Sequence, residues 1–270
     1  MRGKSLLKTA IFGLLISFIV STVSVSVAET AVSSWRGNNF YTSIFSLLGF
    51  WTGLFGTCLY ALRLYPGNET SGIPVPSDEA NGSDPTGLGK SGGRRVKSLL
   101  SLLSENYGLR FRPAIDLPLG IVAGILAQLY LVAVFSWPLS FFVRNLSRRM
   151  SGPAKHLVSG LSGTEIVVLG IFICLFSPLF EELFFRGLLQ RSLLEISAPF
   201  GRVFSVAVSI LLTAAVFGSA HFESLQLLPL FGFGIMLGLA AYFTRRLGLG
   251  IAAHISFNTV AYVAIARGHF

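Results

Sequence analysis

Apolar residues run through this chain in long blocks, separated by short basic or glycine-rich stretches. A bilayer-spanning helix needs about 20 mostly apolar residues, and the blocks have that length. They cover about Ala10 to Ala28, Tyr41 to Leu62, and Leu117 to Val143. A fourth opens with Ser162 and Glu165 at capping-box spacing and runs to about Glu195. Three more follow at about Val203 to Phe222, Leu225 to Phe243, and Leu247 to Ala266. A membrane β-barrel would show segments of about ten residues with alternating polarity, and the sequence has none. The expected fold is an all-α, polytopic transmembrane helix bundle of about seven spans. It becomes six if Ser26-Val27-Ala28 is a signal-peptidase site and the first block is removed.

The stretches between blocks divide the chain. Residues 1–64 hold the signal or anchor segment and the second span. Residues 65–116 form a Pro/Gly/Ser-rich and basic loop, expected on the cytoplasmic side. Within it Leu99, Leu100, Leu102 and Leu103 give an amphipathic stripe. Residues 117–270 make up the membrane-embedded domain, and the stretch from Arg144 to Lys155 reads as a basic loop. Lys and Arg favour cytoplasmic flanks, which starts the N-terminus inside and leaves the 144–155 cluster outside, against the rule.

Composition supports the membrane reading: 52% of the 270 residues are hydrophobic and 12% charged, where a soluble domain carries about 25% charged. The net charge of +9 lies on the flanks of apolar blocks and forms no single stripe, which speaks against a nucleic-acid partner. Cys58 and Cys174 sit in apolar runs without metal or redox spacing and read as small core residues.

Against this background the fourth block is anomalous, because it contains Phe180-Glu181-Glu182-Leu183-Phe184-Phe185-Arg186. Ionisable groups at membrane depth are costly and mark function by default. Glu182 and Arg186 are spaced i, i+4 and can pair on one helical face. Glu181 points about 100° away and lacks that partner. An unpaired carboxylate in an apolar cavity is expected to be basic enough for proton transfer near neutral pH, which suits Glu181 to general-base work. Downstream, Phe217 and His221 close the fifth block. His254 and Asn258, again i, i+4, place an imidazole and an amide on one face of the seventh, where both can donate to a developing oxyanion.

Glu-Glu-x-x-x-Arg, Phe-x-x-x-His and His-x-x-x-Asn, in this order on successive helices, resemble the motifs of the CAAX prenyl protease and bacteriocin-processing (CPBP, or ABI) intramembrane proteases. The resemblance covers about Ile166 to Ala266, with weaker similarity from Tyr107 to Gly120. It implies a membrane-embedded endopeptidase in which Glu181 activates water with help from His221, and His254 and Asn258 hold the tetrahedral intermediate. Phe217 packs beside the site and Arg186 anchors Glu182. The family is commonly classed as metalloproteases, and Glu181, His221 and His254 would be the zinc ligands. A metal-free mechanism is equally open, and Asn258 suits it better. The implied partners are a membrane peptide or protein substrate and the lipid bilayer, in the plasma (inner) membrane, with oligomeric state left open. Prenylated substrates are typical of eukaryotic relatives.

Two other classes of function use the same residues. A non-catalytic membrane regulator of this fold would tolerate loss of the Glu181 carboxylate. A transporter or proton channel would often carry inverted repeats, and the sequence shows none.

Overall fold

The computed structural model describes residues 2–35, 37–64 and 98–269. The Pro/Gly/Ser-rich stretch read as a loop from Tyr65 to Lys97 lies outside them. The helices, in chain order, are α1 (Arg2–Ala31), α2 (Asn39–Leu64), α3 (Leu99–Tyr107), α4 (Pro113–Ser140) and α5 (Leu146–Val158). They continue with α6 (Gly163–Phe200), α7 (Arg202–Ser219), α8 (Leu227–Thr244) and α9 (Gly248–Ala266). All except α3 and α5 are long and apolar enough to cross a membrane, seven among the described residues. The protein is an all-α polytopic bundle, as the block pattern predicts.

Lipid tails are as apolar as leucine, so spans gain little from hydrophobic sorting and associate through close backbone approach. Three pairs of small residues supply that approach here. Gly49 and Gly53 of α2 lie on Ser17 and Ser21 of α1. Gly120 and Gly124 of α4 lie on the backbone of α9 at Ala252 and Ala253. Gly234 and Gly238 of α8 lie on Ala214 and Ile210 of α7. Each pair is spaced i, i+4, and a Cβ at Gly53 or Gly124 would collide with the facing backbone.

Helix α6 sets the depth of everything that follows. Its 38 residues would measure roughly 57 Å at 1.5 Å per residue, well beyond the membrane core of about 30 Å. Glu181 and Glu182 fall at its midpoint. The chain then turns at Gly201, whose φ of 96° is open to glycine, and returns as the 18-residue α7. The second half of α6 and α7 are therefore arms of equal length, and the end of α7 comes level with the glutamates. Glu181 and His221 sit late on consecutive antiparallel spans, so their meeting calls for the fourth to continue past Arg186, as α6 does, and for the fifth to begin late or to continue past His221. Instead α7 stops at Ser219, and His221 sits just beyond its end at the same level.

The expected basic loop from Arg144 to Lys155 is largely helix α5. Leu146, Met150, Ala154 and Leu157 fall at helical spacing and turn toward the interior, while Arg148, Arg149 and Lys155 are exposed. The apolar positions are sparse and broken by Pro153, which hides the helical period behind the charge.

The short α3 is capped by Ser98, whose side chain accepts from the Ser101 N–H, and ends at left-handed Gly108. Its Tyr107 hydroxyl donates to the Cys58 carbonyl at 2.6 Å, and burial pushes that phenol above its ordinary pKa. Beyond it, Leu247 N–H donates to Gly108 O at 2.9 Å and Gly248 N–H to Arg110 O at 3.1 Å. Arg246 closes the joint on the buried Asp116 carboxylate at 2.7 Å, and that hydrogen bond holds its guanidinium above the usual range. The stretch before α4 is thus fastened to the start of α9.

Gly124→Ala is expected to lower stability by about 1–3 kcal/mol through overpacking. Gly56→Ala, where a Cβ meets nothing within 4 Å, is expected to be neutral or to stabilise by up to about 1 kcal/mol. Thermal unfolding of the two variants in one detergent separates the seam from the general effect of glycine in helices.

Candidate active site

Two π-helical segments interrupt α6, at Phe172–Phe176 and Leu183–Gln190, and bracket the short α-helical stretch Ser177–Glu182. Such wide turns recur at functional sites, because each re-aims the side chains that follow it. Here Pro178, which has no N–H to give to a helix ladder, lies immediately after the first wide segment.

Glu182 and Arg186 pair across 2.8 Å with both side chains at 0% exposure. Arg186 also donates to the Gly234 carbonyl at 3.4 Å, and its guanidinium carbon stands 4.4 Å from the centre of the Phe217 ring. A cation over an aromatic face gains electrostatically where water is absent. One turn on, Gln190 repeats the pattern by donating to the Gly238 carbonyl at 3.0 Å. The α6 polar face is thereby locked to the glycine pair of α8.

His254, 2% exposed, brings its Nδ1 to 3.1 Å from Glu182 Oε1. An ionised carboxylate only accepts, so that contact assigns the proton to Nδ1 and turns Nε2 toward Glu181. The Nε2–Glu181 Oε2 separation is 3.8 Å. Phe217 and Phe233 meet the imidazole edge-on at 5.6 and 5.3 Å between ring centres, and Phe233 stacks on Phe257 at 3.8 Å. The ring is therefore fixed on both sides.

Glu181 is held differently. Its Oε1 accepts from the Ser177 hydroxyl, while Oε2 is buried without a hydrogen-bond partner. Asn258 donates through Nδ2 to the Ile173 carbonyl at 3.1 Å, which leaves its second amide hydrogen free. His221 is exposed at the end of α7, and its Nδ1 lies 2.8 Å from the Phe217 carbonyl. A carbonyl accepts, so Nδ1 carries the proton and Nε2 is the open acceptor.

Glu181, His221, His254 and Asn258 all line one cavity of about 1030 Å³, whose other walls come from α1, α2, α4 and α5. Glu182 and Arg186 lie behind it. Glu182 pairs with its i, i+4 neighbour Arg186, and Glu181 lies on the cavity wall. Among the described residues no three His, Cys, Asp or Glu side chains are grouped to hold a metal ion. Glu181, His221 and His254, the residues that would hold a zinc ion, all line the cavity, and each histidine has only its Nδ1 engaged.

Ser177 and Phe233 escaped the sequence reading. Ser177 stands i−4 from Glu181, a spacing that applies to it as well as to Arg186. Phe233 reveals itself only through the α8–α9 contact.

Glu182→Gln is expected to lower stability by about 3–5 kcal/mol, because it strands a fully buried guanidinium. Glu181→Gln, which removes no ion pair of that kind, should unfold close to wild type in the same detergent melt.

Residues 163–260, from the first residue of α6 into α9, match the family model described as type II CAAX prenyl endopeptidase Rce1-like. No curated protein and no solved structure matches the chain. The matched segment carries all seven of the residues that the ordered motifs single out. Residues 163–260, just over a third of the chain, are thus similar to the Rce1-like, type II CAAX prenyl endopeptidase family.

Proposed function

We propose that the protein is an intramembrane endopeptidase that hydrolyses a peptide bond of a membrane-associated peptide or protein, using a water activated by Glu181. The observation that carries this reading is the asymmetry of the glutamates. Glu182 binds Arg186 and His254 through Oε1 and lies off the cavity, while Glu181 has no arginine partner and lines the cavity wall.

In this reading a water sits between Glu181 Oε2 and the open Nε2 of His221. Glu181 takes one proton as the oxygen attacks the carbonyl carbon, and the carbonyl π-electrons move onto oxygen. The resulting oxyanion accepts from the second Nδ2 hydrogen of Asn258 and from Nε2–H of a protonated His254. The positive charge on His254 is balanced by Glu182, in the way a buried carboxylate orients and stabilises a catalytic imidazolium. With that proton in place, Glu181, Glu182, Arg186 and His254 together carry no net charge, which suits a site at membrane depth. Collapse of the intermediate breaks the C–N bond, and Glu181 returns its proton to the leaving amine.

Each step uses groups of the chain itself, without a metal. The seven spans make the protein an integral multi-pass membrane protein, and we place it in the plasma (inner) membrane. The cavity suits a peptide lying among the spans, with its scissile bond at the level of the Glu181 carboxylate.

The test is peptide cleavage by the full chain reconstituted in vesicles, over a library of membrane-associated peptides. Wild type is expected to cleave and Glu181→Gln to be inactive. Asn258→Ala should lower kcat by about 10²–10³, the usual effect of removing one oxyanion donor. Equal cleavage by wild type and Glu181→Gln would overturn the role of Glu181. Activity is expected to survive a strong chelator. Loss of activity that added zinc restores would replace the metal-free mechanism with a ligand role for these residues.

A further inference from the structure

Serines and threonines inside these helices usually return their hydroxyl to the carbonyl four residues earlier, as Ser17 does to Gly13, Ser192 to Leu188 and Ser197 to Leu193. That local bond is the default for a hydroxyl that water cannot reach. Ser177 departs from it. Its i−4 carbonyl belongs to Ile173 and accepts from Asn258. Its own oxygen accepts from the indole N–H of Trp51 at 3.4 Å. An indole nitrogen can only donate, so the single proton of Ser177 is directed away from α2 and onto Glu181 Oε1.

Trp51 is well placed to do this. It is 4% exposed and packs face-on against Phe172 and Phe180, at 5.5 and 5.4 Å between ring centres. Phe55, one turn on, meets Phe180 edge-on at 5.8 Å. The indole thus rests on the α6 face that includes the first π-helical segment and Ser177. Trp51 belongs to α2, outside the region that matches the family model.

We propose that Trp51 and Ser177 form a positioning relay that pins Oε1 of Glu181 and thereby keeps Oε2 on the side of His254 Nε2, 3.8 Å away. A carboxylate without this pin is free to rotate about its last bond, and either oxygen can turn to His254. With the pin, the oxygen beside His254 is always the unpartnered Oε2. The second span then contributes to the active site through a side chain, in addition to walling the cavity. The proposal rests on the peptidase reading for its kinetic consequence but not for its geometry.

The experiment compares wild type, Ser177→Ala, Ser177→Thr, Trp51→Phe and the Trp51→Phe/Ser177→Ala double variant as full chains in vesicles, with Glu181→Gln as the blank. Ser177→Ala is expected to lower kcat about ten- to a hundredfold at unchanged KM, the effect of losing a hydrogen bond to a charged group. Ser177→Thr keeps the hydroxyl and should restore most of it. Trp51→Phe keeps the stacking and should lower kcat by less. The double variant should be no worse than Ser177→Ala alone, since the relay acts through one bond. Wild-type kcat in Ser177→Ala, or a double variant in which the two losses multiply, would overturn the relay.

A second readout does not depend on turnover. The infrared carboxyl band of Glu181, assigned by its loss in Glu181→Gln, is expected to shift in Ser177→Ala and, by less, in Trp51→Phe. A band unmoved in Ser177→Ala would overturn the proposal. A shifted band in a protein that cleaves nothing would keep the relay and reject the peptidase reading instead.

Discussion

Everything in this bundle is arranged around one buried ion pair. Glu182 and Arg186 are withdrawn from solvent completely, and desolvating two charges is opposed by several kcal/mol per ion unless the geometry and the remaining hydrogen bonds are good. The surrounding elements supply those bonds: His254 from α9, the Gly234 carbonyl from α8, and the Phe217 face from α7. Four helices are thereby drawn onto one point, and the point lies at the middle of the longest helix. The second glutamate inherits a fixed backbone without sharing the pairing, which leaves it chemically free.

The small-residue seams explain how the helices come close enough for this. Interhelical bonds such as Arg186 to Gly234 and Gln190 to Gly238 reach a backbone carbonyl, which is practical only where no side chain intervenes. The same glycines that let α8 lie on α7 also leave their carbonyls bare toward α6. One residue type thus serves packing on one side of a helix and polar locking on the other.

Much of this was legible in the sequence, because a membrane simplifies the code. Long apolar blocks read as helices that can span, so α2, α4 and α6 to α9 follow from block lengths alone, and α1 does so as a span or a signal segment. Charges inside a block have no innocuous explanation, which singled out Glu181, Glu182 and Arg186. Helical spacing then assigned Glu182 to Arg186, and the ordered motifs brought in His221, His254, Asn258 and Phe217. Helix α5 was hidden because its apolar positions are few and lie among arginines. How His221 comes level with Glu181 was left open by the sequence, because block lengths do not place helix ends; α6 overshoots and the shorter α7 compensates. Phe233 and the role of Ser177 depend on which face meets which neighbour, and single-chain periodicity carries no such information. Three Gly-x-x-x-Gly pairs inside apolar blocks were a signal available and unused.

The equal arms of the α6–α7 hairpin have a consequence for how this protein can vary. Removing one residue from either arm slides the chain by about 1.5 Å and turns it by about 100°, so Phe217 and His221 would lose their level against Arg186 and Glu181. Length changes in the two arms are therefore tolerable only in matched pairs of whole turns, while the Ala198–Gly201 bend that joins them can drift toward or away from the membrane surface. The hairpin behaves as a gauge: it fixes the register of the reacting groups to one another and leaves their distance from the bilayer edge free to evolve.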